Sequence, residues 1–236
     1  MIDFLCIGAQ KSGTSWLYKN LGQHPNIWMP FIKEVHYFDT VYLDYDAEHH
    51  LKVIRGNIER LKNHPDFHEL ADYYNKIQDP DHAFTEEWYE HIFSLAPPGK
   101  LKGEITPYYS SLTLDGIRHV RRLAPNAKII YLIRDPIERA KSSLRMALGK
   151  NNKNQLDICK REDFLSRGDY RANIPRWISC YGKENILFLP FGQIKSNPDM
   201  LLKQIALFLD ITQEYQFSDL SKSVHKSKPF LCQQLV

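Results

Sequence analysis

Residues 8–16 read Gly-Ala-Gln-Lys-Ser-Gly-Thr-Ser-Trp, and this run carries the strongest chemical signal in the sequence. It follows an apolar segment and precedes a helical pattern, which predicts a loop between a strand and a helix N-terminus. The backbone N–H groups of such a loop and the helix dipole favour a phosphate or sulfate group, and Lys11 adds a cation. The ATP- and GTP-binding pattern G-x-x-x-x-G-K-[ST] places its lysine after the last glycine, whereas Lys11 precedes Gly13. The run therefore predicts an anion-binding loop that differs from that of nucleoside triphosphatases.

The elements that must position this loop are four apolar segments rich in β-branched and aromatic residues. They predict strands at 2–8, 100–105, 128–133 and 185–190. The segments between them are long enough for the helical crossovers of a parallel sheet. We therefore expect an α/β fold, with a single domain over residues 1–236 and a mostly parallel central sheet flanked by helices, of the P-loop nucleotide-binding type.

Capping signals mark two helix starts, at Asp135-Pro136 and at Asn197-Pro198. Residues about 40–95 are rich in His, Tyr and charge and lack a strand pattern, so we expect helices and loops there, beside or over the site. Residues 149–168 are expected to form an irregular excursion. In the first capped helix, four apolar residues recur at helical spacing and predict the face that packs on the sheet: Ile137, Ala140, Leu144 and Leu148.

Composition limits the partners and the compartment. The 236 residues carry 31 Lys and Arg against 28 Asp and Glu, a net charge of +3, which is too mild for a nucleic-acid-binding surface. No apolar run approaches the ~20 residues of a membrane span, and the N-terminus lacks the pattern of a secretory signal. The four cysteines are scattered, which favours the cytoplasm and, with no compact ligand cluster, predicts no metal site. His49 and His50 are interpreted as an exposed polar pair.

Two segments resemble motifs of sulfotransferases that use 3′-phosphoadenosine 5′-phosphosulfate (PAPS). Residues 11–16 resemble the family's 5′-phosphosulfate loop, and residues 131–142 resemble its 3′-phosphate motif, an arginine at a strand end and a serine eight residues later. The resemblance implies PAPS as donor and 3′-phosphoadenosine 5′-phosphate (PAP) as product. The implied donor-binding residues are Lys11, Ser12, Gly13, Thr14, Ser15, Trp16, Arg134 and Ser142.

A third segment, Lys33-Glu34-Val35-His36-Tyr37-Phe38-Asp39, resembles the stretch after the loop in heparan sulfate sulfotransferases and their bacterial relatives. The resemblance implies that Glu34 is the catalytic base and that His36 and Asp39 orient the acceptor or Glu34. Because cytosolic small-molecule sulfotransferases use a histidine as base, His36 is the alternative.

Weaker matches extend over most of the chain. Residues 103–109 resemble the family's Glu-Lys-Thr/Ser-Pro-x-Tyr segment, but Ile105 replaces the lysine, which argues against a highly sulfated polysaccharide acceptor. Tyr170 matches the tyrosine of a Gly-x-Tyr helix start and is expected to contact the donor, while Trp177 is expected in the core. Lys228 matches a lysine that closes on the donor.

The resemblance implies a sulfotransferase that moves a sulfuryl group from PAPS to a hydroxyl of a carbohydrate, lipid or small molecule, without a metal. In this interpretation Lys11 neutralises the leaving phosphate while the base removes the hydroxyl proton. The sequence leaves open a P-loop kinase or nucleoside triphosphatase, and a non-catalytic nucleotide-binding module. It leaves the oligomeric state undetermined.

Overall fold

The computed structural model describes residues 2–63, 67–148, 162–212 and 214–221. Five parallel strands form the central sheet in the order β2-β3-β1-β4-β5. These are β1 (Phe4–Gly8), β2 (Ile27–Trp28), β3 (Leu101–Ile105), β4 (Lys128–Ile133) and β5 (Ile186–Pro190). The predicted α/β fold is confirmed, and four strands lie where the sequence predicts them. The edge strand β2 has two residues, too few for a recognisable pattern.

Helices flank the sheet and fill the connections between its strands. They are α1 (Thr14–Leu21), α2 (Tyr37–Tyr42), α3 (Ala47–Leu61), α4 (Ala71–Gln78), α5 (Glu86–Ile92), α6 (Leu114–Leu123), α7 (Pro136–Leu148), α8 (Glu162–Ser166), α9 (Tyr170–Tyr181), α10 (Gln193–Ser196) and α11 (Pro198–Phe208). Short 3₁₀ helices cover Pro107–Ser111 and Lys183–Asn185. The described part of region 40–95 contains helices and loops. No helix among the described residues is long and apolar enough to cross a bilayer.

The core lies on both faces of the sheet because successive side chains of a strand point to opposite sides. Leu5 and Ile7 of β1 face the larger cluster, which includes Trp177 and residues of α2–α6. Phe4 and Cys6 face a second cluster with α1 and α11. The core position predicted for Trp177 is confirmed, since its side chain is fully buried.

One local prediction is wrong, and another falls mostly outside the described residues. Of the expected excursion at 149–168, residues 149–161 lie outside the described residues, and Glu162–Ser166 form helix α8. In α7, Ile137 is 64% exposed, whereas Arg139 is 2% exposed and donates to the Phe164 carbonyl at 3.1 Å. The reason is that α7 packs against α8 and the β1–α1 loop, where Ser143 donates to Gln10 Oε1 at 3.3 Å. The inward face of α7 is therefore polar.

Candidate functional site

The carboxyl ends of β1, β3 and β4 meet at one edge of the sheet, and the predicted site residues follow these strands. Open α/β sheets bind ligands at this edge. The β1–α1 loop follows β1, Thr106 follows β3, and Arg134 follows β4. The Thr106 N–H donates to the Cys6 carbonyl at 3.1 Å, which ties the ends of β1 and β3 together.

The β1–α1 loop has the backbone geometry of an anion cradle. Gly13 precedes α1 with a φ of 85°, a left-handed conformation that favours glycine, and a Cβ there would lie 2.3 Å from Ile194 Cδ1. No side chain caps the N-terminus of α1, which leaves its first N–H groups to face an anion. Ser12 and Thr14 are buried and Ser15 is half-buried along this turn. The loop therefore fits a phosphate or sulfate group.

Arg134 lies directly against this loop. Its Nη1 donates to the Lys11 carbonyl at 2.6 Å, and its guanidinium sits 4.4 Å from the Phe191 ring centroid. The Arg134 backbone N–H donates to the Tyr170 hydroxyl at 3.3 Å. The structure thus brings together Lys11, Arg134 and Tyr170, which the sequence placed in one site from three distant segments.

The other residues predicted to bind the donor lie in different environments. Ser142 is buried on α7, next to the serine that contacts the loop. The Lys11 ammonium lies 3.4 Å from Met146 Sδ. Trp16 is 5% exposed and its indole N–H donates to the Leu220 carbonyl at 3.0 Å, so its ring lies in the core. Lys228 lies outside the described residues.

Glu34, His36 and Asp39 form a charged cluster before and within α2. His36 Nδ1 lies 2.5 Å from Asp39 Oδ2, and His36 Nε2 lies 3.4 Å from Glu34 Oε2. Lys33 donates to the other oxygen of Glu34. The Asp39 side chain is fully buried, whereas the Glu34 side chain is 30% exposed. Of the two carboxylates that flank the imidazole, only Glu34 is open to an incoming molecule.

The pKa values of this cluster follow from its contacts. Burial alone would lower the pKa of His36, but hydrogen bonds to Asp39 and Glu34 outweigh burial and raise it well above its usual value. Burial alone would raise the pKa of Glu34, but the hydrogen bond from His36 and the charge of Lys33 lower it. At neutral pH His36 is therefore an imidazolium and Glu34 a carboxylate.

Aromatic rings that the sequence did not assign to the site surround His36. Tyr45 stacks on the imidazole with centroids 4.0 Å apart and planes 5° apart, while His50 and Tyr108 approach edge-on at 4.7 Å and 5.1 Å. Arg167 lies 3.7 Å from the Tyr108 centroid. The interpretation of His49 and His50 as an exposed pair is wrong for His50, which is 4% exposed. The sequence around His50 gives no signal of this contact, because it depends on how α3 packs against the segment that carries His36.

The sequence model of the sulfotransferase family matches residues 3–215. The chain belongs to the sulfotransferase family. Mouse bifunctional heparan sulfate N-deacetylase/N-sulfotransferase 4 is 25% identical over 98% of this chain and 25% of the relative's length. The membrane-associated sulfotransferase kil1 of Dictyostelium discoideum is 30% identical over 62% of this chain and 23% of the relative's length. This sulfotransferase chain thus spans about a quarter of the curated relatives it matches.

Solved structures support the same fold for this sulfotransferase-family chain. A sulfotransferase from Alicyclobacillus acidocaldarius matches with a TM-score of 0.70 and 22% identity over 95% of this chain and 87% of that one. The sulfotransferase domain from the curacin biosynthetic pathway matches with a TM-score of 0.56 and 19% identity over 95% of this chain and 81% of that domain. At these identities the likeness establishes the fold.

Proposed function

We propose that this chain transfers a sulfuryl group from PAPS to a hydroxyl of a carbohydrate, lipid or small-molecule acceptor. One observation carries the proposal. Arg134 donates a hydrogen bond to the carbonyl of Lys11, in the loop before the uncapped N-terminus of α1. A guanidinium beside such a loop suits PAPS, which has phosphate groups at two separate positions. The loop N–H groups can bind one of these groups, and the guanidinium can bind the other. The loop would hold the 5′-phosphosulfate, and Arg134 with Ser142 would hold the 3′-phosphate, with Tyr170 beside them.

We assign the role of base to Glu34 in preference to His36. A base must accept a proton, and His36 already carries one because it lies between two carboxylates. Glu34 is ionised, partly exposed and adjacent to that imidazolium. Asp39, on the opposite side of the ring, holds the imidazolium in place. His36 would thus orient Glu34 and stabilise its charge.

The proposed reaction is an in-line displacement. The acceptor oxygen forms a bond to sulfur while the bond between sulfur and the bridging phosphate oxygen breaks, and Glu34 takes the hydroxyl proton. Negative charge develops on the leaving PAP phosphate, where Lys11 and the loop amides would neutralise it. Positioning and electrostatics supply the catalysis, as in phosphoryl transfer.

Two features bear on the acceptor. Tyr45 and Tyr108 are half-buried beside His36, and partly exposed tyrosine rings are of the kind that pack on sugars or flat molecules. Ile105, which replaces the family's lysine, is 1% exposed in the core and adds no positive charge. We therefore favour an acceptor that lacks dense sulfation.

The free thiols of Cys6 and Cys180 support a cytoplasmic location.

The family assignment favours sulfuryl transfer over a kinase or nucleoside triphosphatase. A transfer assay with ³⁵S-labelled PAPS and a panel of carbohydrates, sterols and phenols tests the proposal. We expect labelled product with the wild type and a loss of roughly 10²-fold in turnover for Glu34→Gln. Glu48→Gln, at an exposed position of α3, is the matched control and should retain the wild-type rate. Binding of PAP without transfer to any acceptor would instead indicate a non-catalytic module.

A further inference from the structure

The segment 34–37 carries the proposed base in a strained backbone. Glu34 and His36 have φ values of 66° and 55°, in the left-handed region that residues with a Cβ rarely adopt. Such conformations are energetically unfavourable and persist only where the surrounding structure holds them. Something must therefore fix this segment from outside.

Two buried hydroxyls hold the two backbone amides on either side of His36. The Val35 N–H donates to Thr106 Oγ1 at 3.0 Å, and the Tyr37 N–H donates to the Tyr109 hydroxyl at 3.0 Å. Thr106 and Tyr109 both follow β3 and are fully buried. The backbone N–H groups of Val35 and Tyr37 are thus both bound by the turn that follows β3 at the edge of the sheet.

Glu104, at the end of β3, orients both hydroxyls. Thr106 Oγ1 donates to Glu104 Oε1 at 2.7 Å, and the Tyr109 hydroxyl interacts with the same carboxylate. Burial raises the pKa of Glu104 to about 7, so above that pH the carboxylate is ionised and only accepts hydrogen bonds, and each hydroxyl directs its proton towards it. Each hydroxyl oxygen is then left to accept the backbone N–H of the segment.

Tyr89 also contacts Glu104, but its hydroxyl does not link the carboxylate to the backbone N–H groups of the segment 34–37. Its hydroxyl donates to Glu104 Oε2 at 2.5 Å, and no described contact of that hydroxyl reaches the segment 34–37. Its ring stacks on Tyr37 with centroids 4.8 Å apart. Tyr89 therefore stabilises the buried carboxylate without transmitting its orientation to the amides.

We infer that Glu104 is a positioning residue, which acts through Thr106 and Tyr109 to hold Glu34 and His36 in the geometry needed for proton removal. This inference rests on the proposed function. It gives a physical role to the Glu, Thr and Tyr of the segment 103–109, for which the sequence indicated only a resemblance. None of the three side chains would touch the donor or the acceptor.

Single-hydroxyl variants assayed at pH 8 test the inference. Thr106→Val and Tyr109→Phe each remove one arm of the network, and we expect kcat to fall by roughly 10- to 100-fold because a small displacement of a catalytic group has effects of this size. The KM for PAPS and the Kd for PAP should stay within about twofold of wild type. Thr106→Ser, which keeps the hydroxyl, should restore most of the loss. Tyr89→Phe is the matched control and should retain kcat within about twofold.

Amide hydrogen exchange provides a readout that needs no turnover. Exchange at Val35 should accelerate in Thr106→Val and exchange at Tyr37 should accelerate in Tyr109→Phe, each without a matching change in Tyr89→Phe. Unchanged exchange at both amides would overturn the inference, as would a loss of kcat in Tyr89→Phe equal to that in Tyr109→Phe. If the wild type transfers no sulfuryl group, the proposed function fails, and the exchange data still decide whether this network holds the segment.

Discussion

Replacing Asp39 by asparagine should lower the pKa of His36, because it removes one of the two negative charges that flank the imidazolium. Asp39 Oδ2 lies 2.5 Å from His36 Nδ1, and both residues are buried, so water does not screen the pair. A hydrogen bond to a charged group contributes about 1.5–3 kcal/mol. One pKa unit corresponds to about 1.36 kcal/mol, so the pKa of His36 should fall by about 1 to 2 units. The asparagine keeps the shape of the side chain and isolates the effect of charge.

The assay is an NMR titration of the histidine ring protons between pH 5 and pH 10. The chain has 10 histidines, and a His36→Gln spectrum identifies the signal of His36. Asp44→Asn is a suitable control, because Asp44 is exposed and asparagine tolerates its φ of 48°. A wild-type His36 that titrates below its ordinary pKa of 6.5 would refute the reasoning, as would an equal shift in Asp44→Asn. Either result would return His36 to candidacy as the base.

Three further outcomes follow from the same structure. Gly13→Ala should lower the free energy of unfolding by about 1–3 kcal/mol in thermal denaturation, because its Cβ would overlap Ile194. Gly56→Ala is the control, since its Cβ has open space in α3, and it should be neutral or stabilising. The raised pKa of His36 should contribute stability that is fully present below pH 6.5 and is lost as the pH rises through the pKa of the folded state. The urea concentration at the midpoint of unfolding should therefore decline on the alkaline side in the wild type. The decline should be smaller in His36→Gln. Lys11→Ala should lower turnover by roughly 10²-fold through lost stabilisation of the leaving phosphate, which steady-state kinetics at saturating PAPS would measure.

Strong local patterns made much of the fold predictable. The apolar runs of β1 and β4 are buried on both faces of the sheet, and such runs are typical of parallel strands. Asn197 caps α11 by accepting the Met200 N–H, as its position before a proline predicts. Helical spacing failed in α7, because α8 and the polar β1–α1 loop cover its inward face, and the sheet does not. Periodicity records which residues are apolar but not what packs against them.

The candidate site divides in a similar way. Arg134 and Lys11 could be placed together because each follows a recognisable strand, and parallel strands end at one edge of the sheet. The rings of Tyr45 and His50 could not be placed against His36, because their positions depend on how the connection after α2 packs. The anchoring of Val35 by Thr106 joins residues 71 positions apart in the sequence, and no local pattern encodes it.

The most direct test of the account is a calorimetric titration with PAP, in parallel with ATP in the presence and absence of magnesium. We expect tight binding of PAP that needs no magnesium, loss of that binding in Arg134→Ala, and retention in Arg118→Ala, an exposed arginine paired with Asp115. Preference for magnesium-ATP, or PAP binding that Arg134→Ala leaves intact, would contradict the donor site described here.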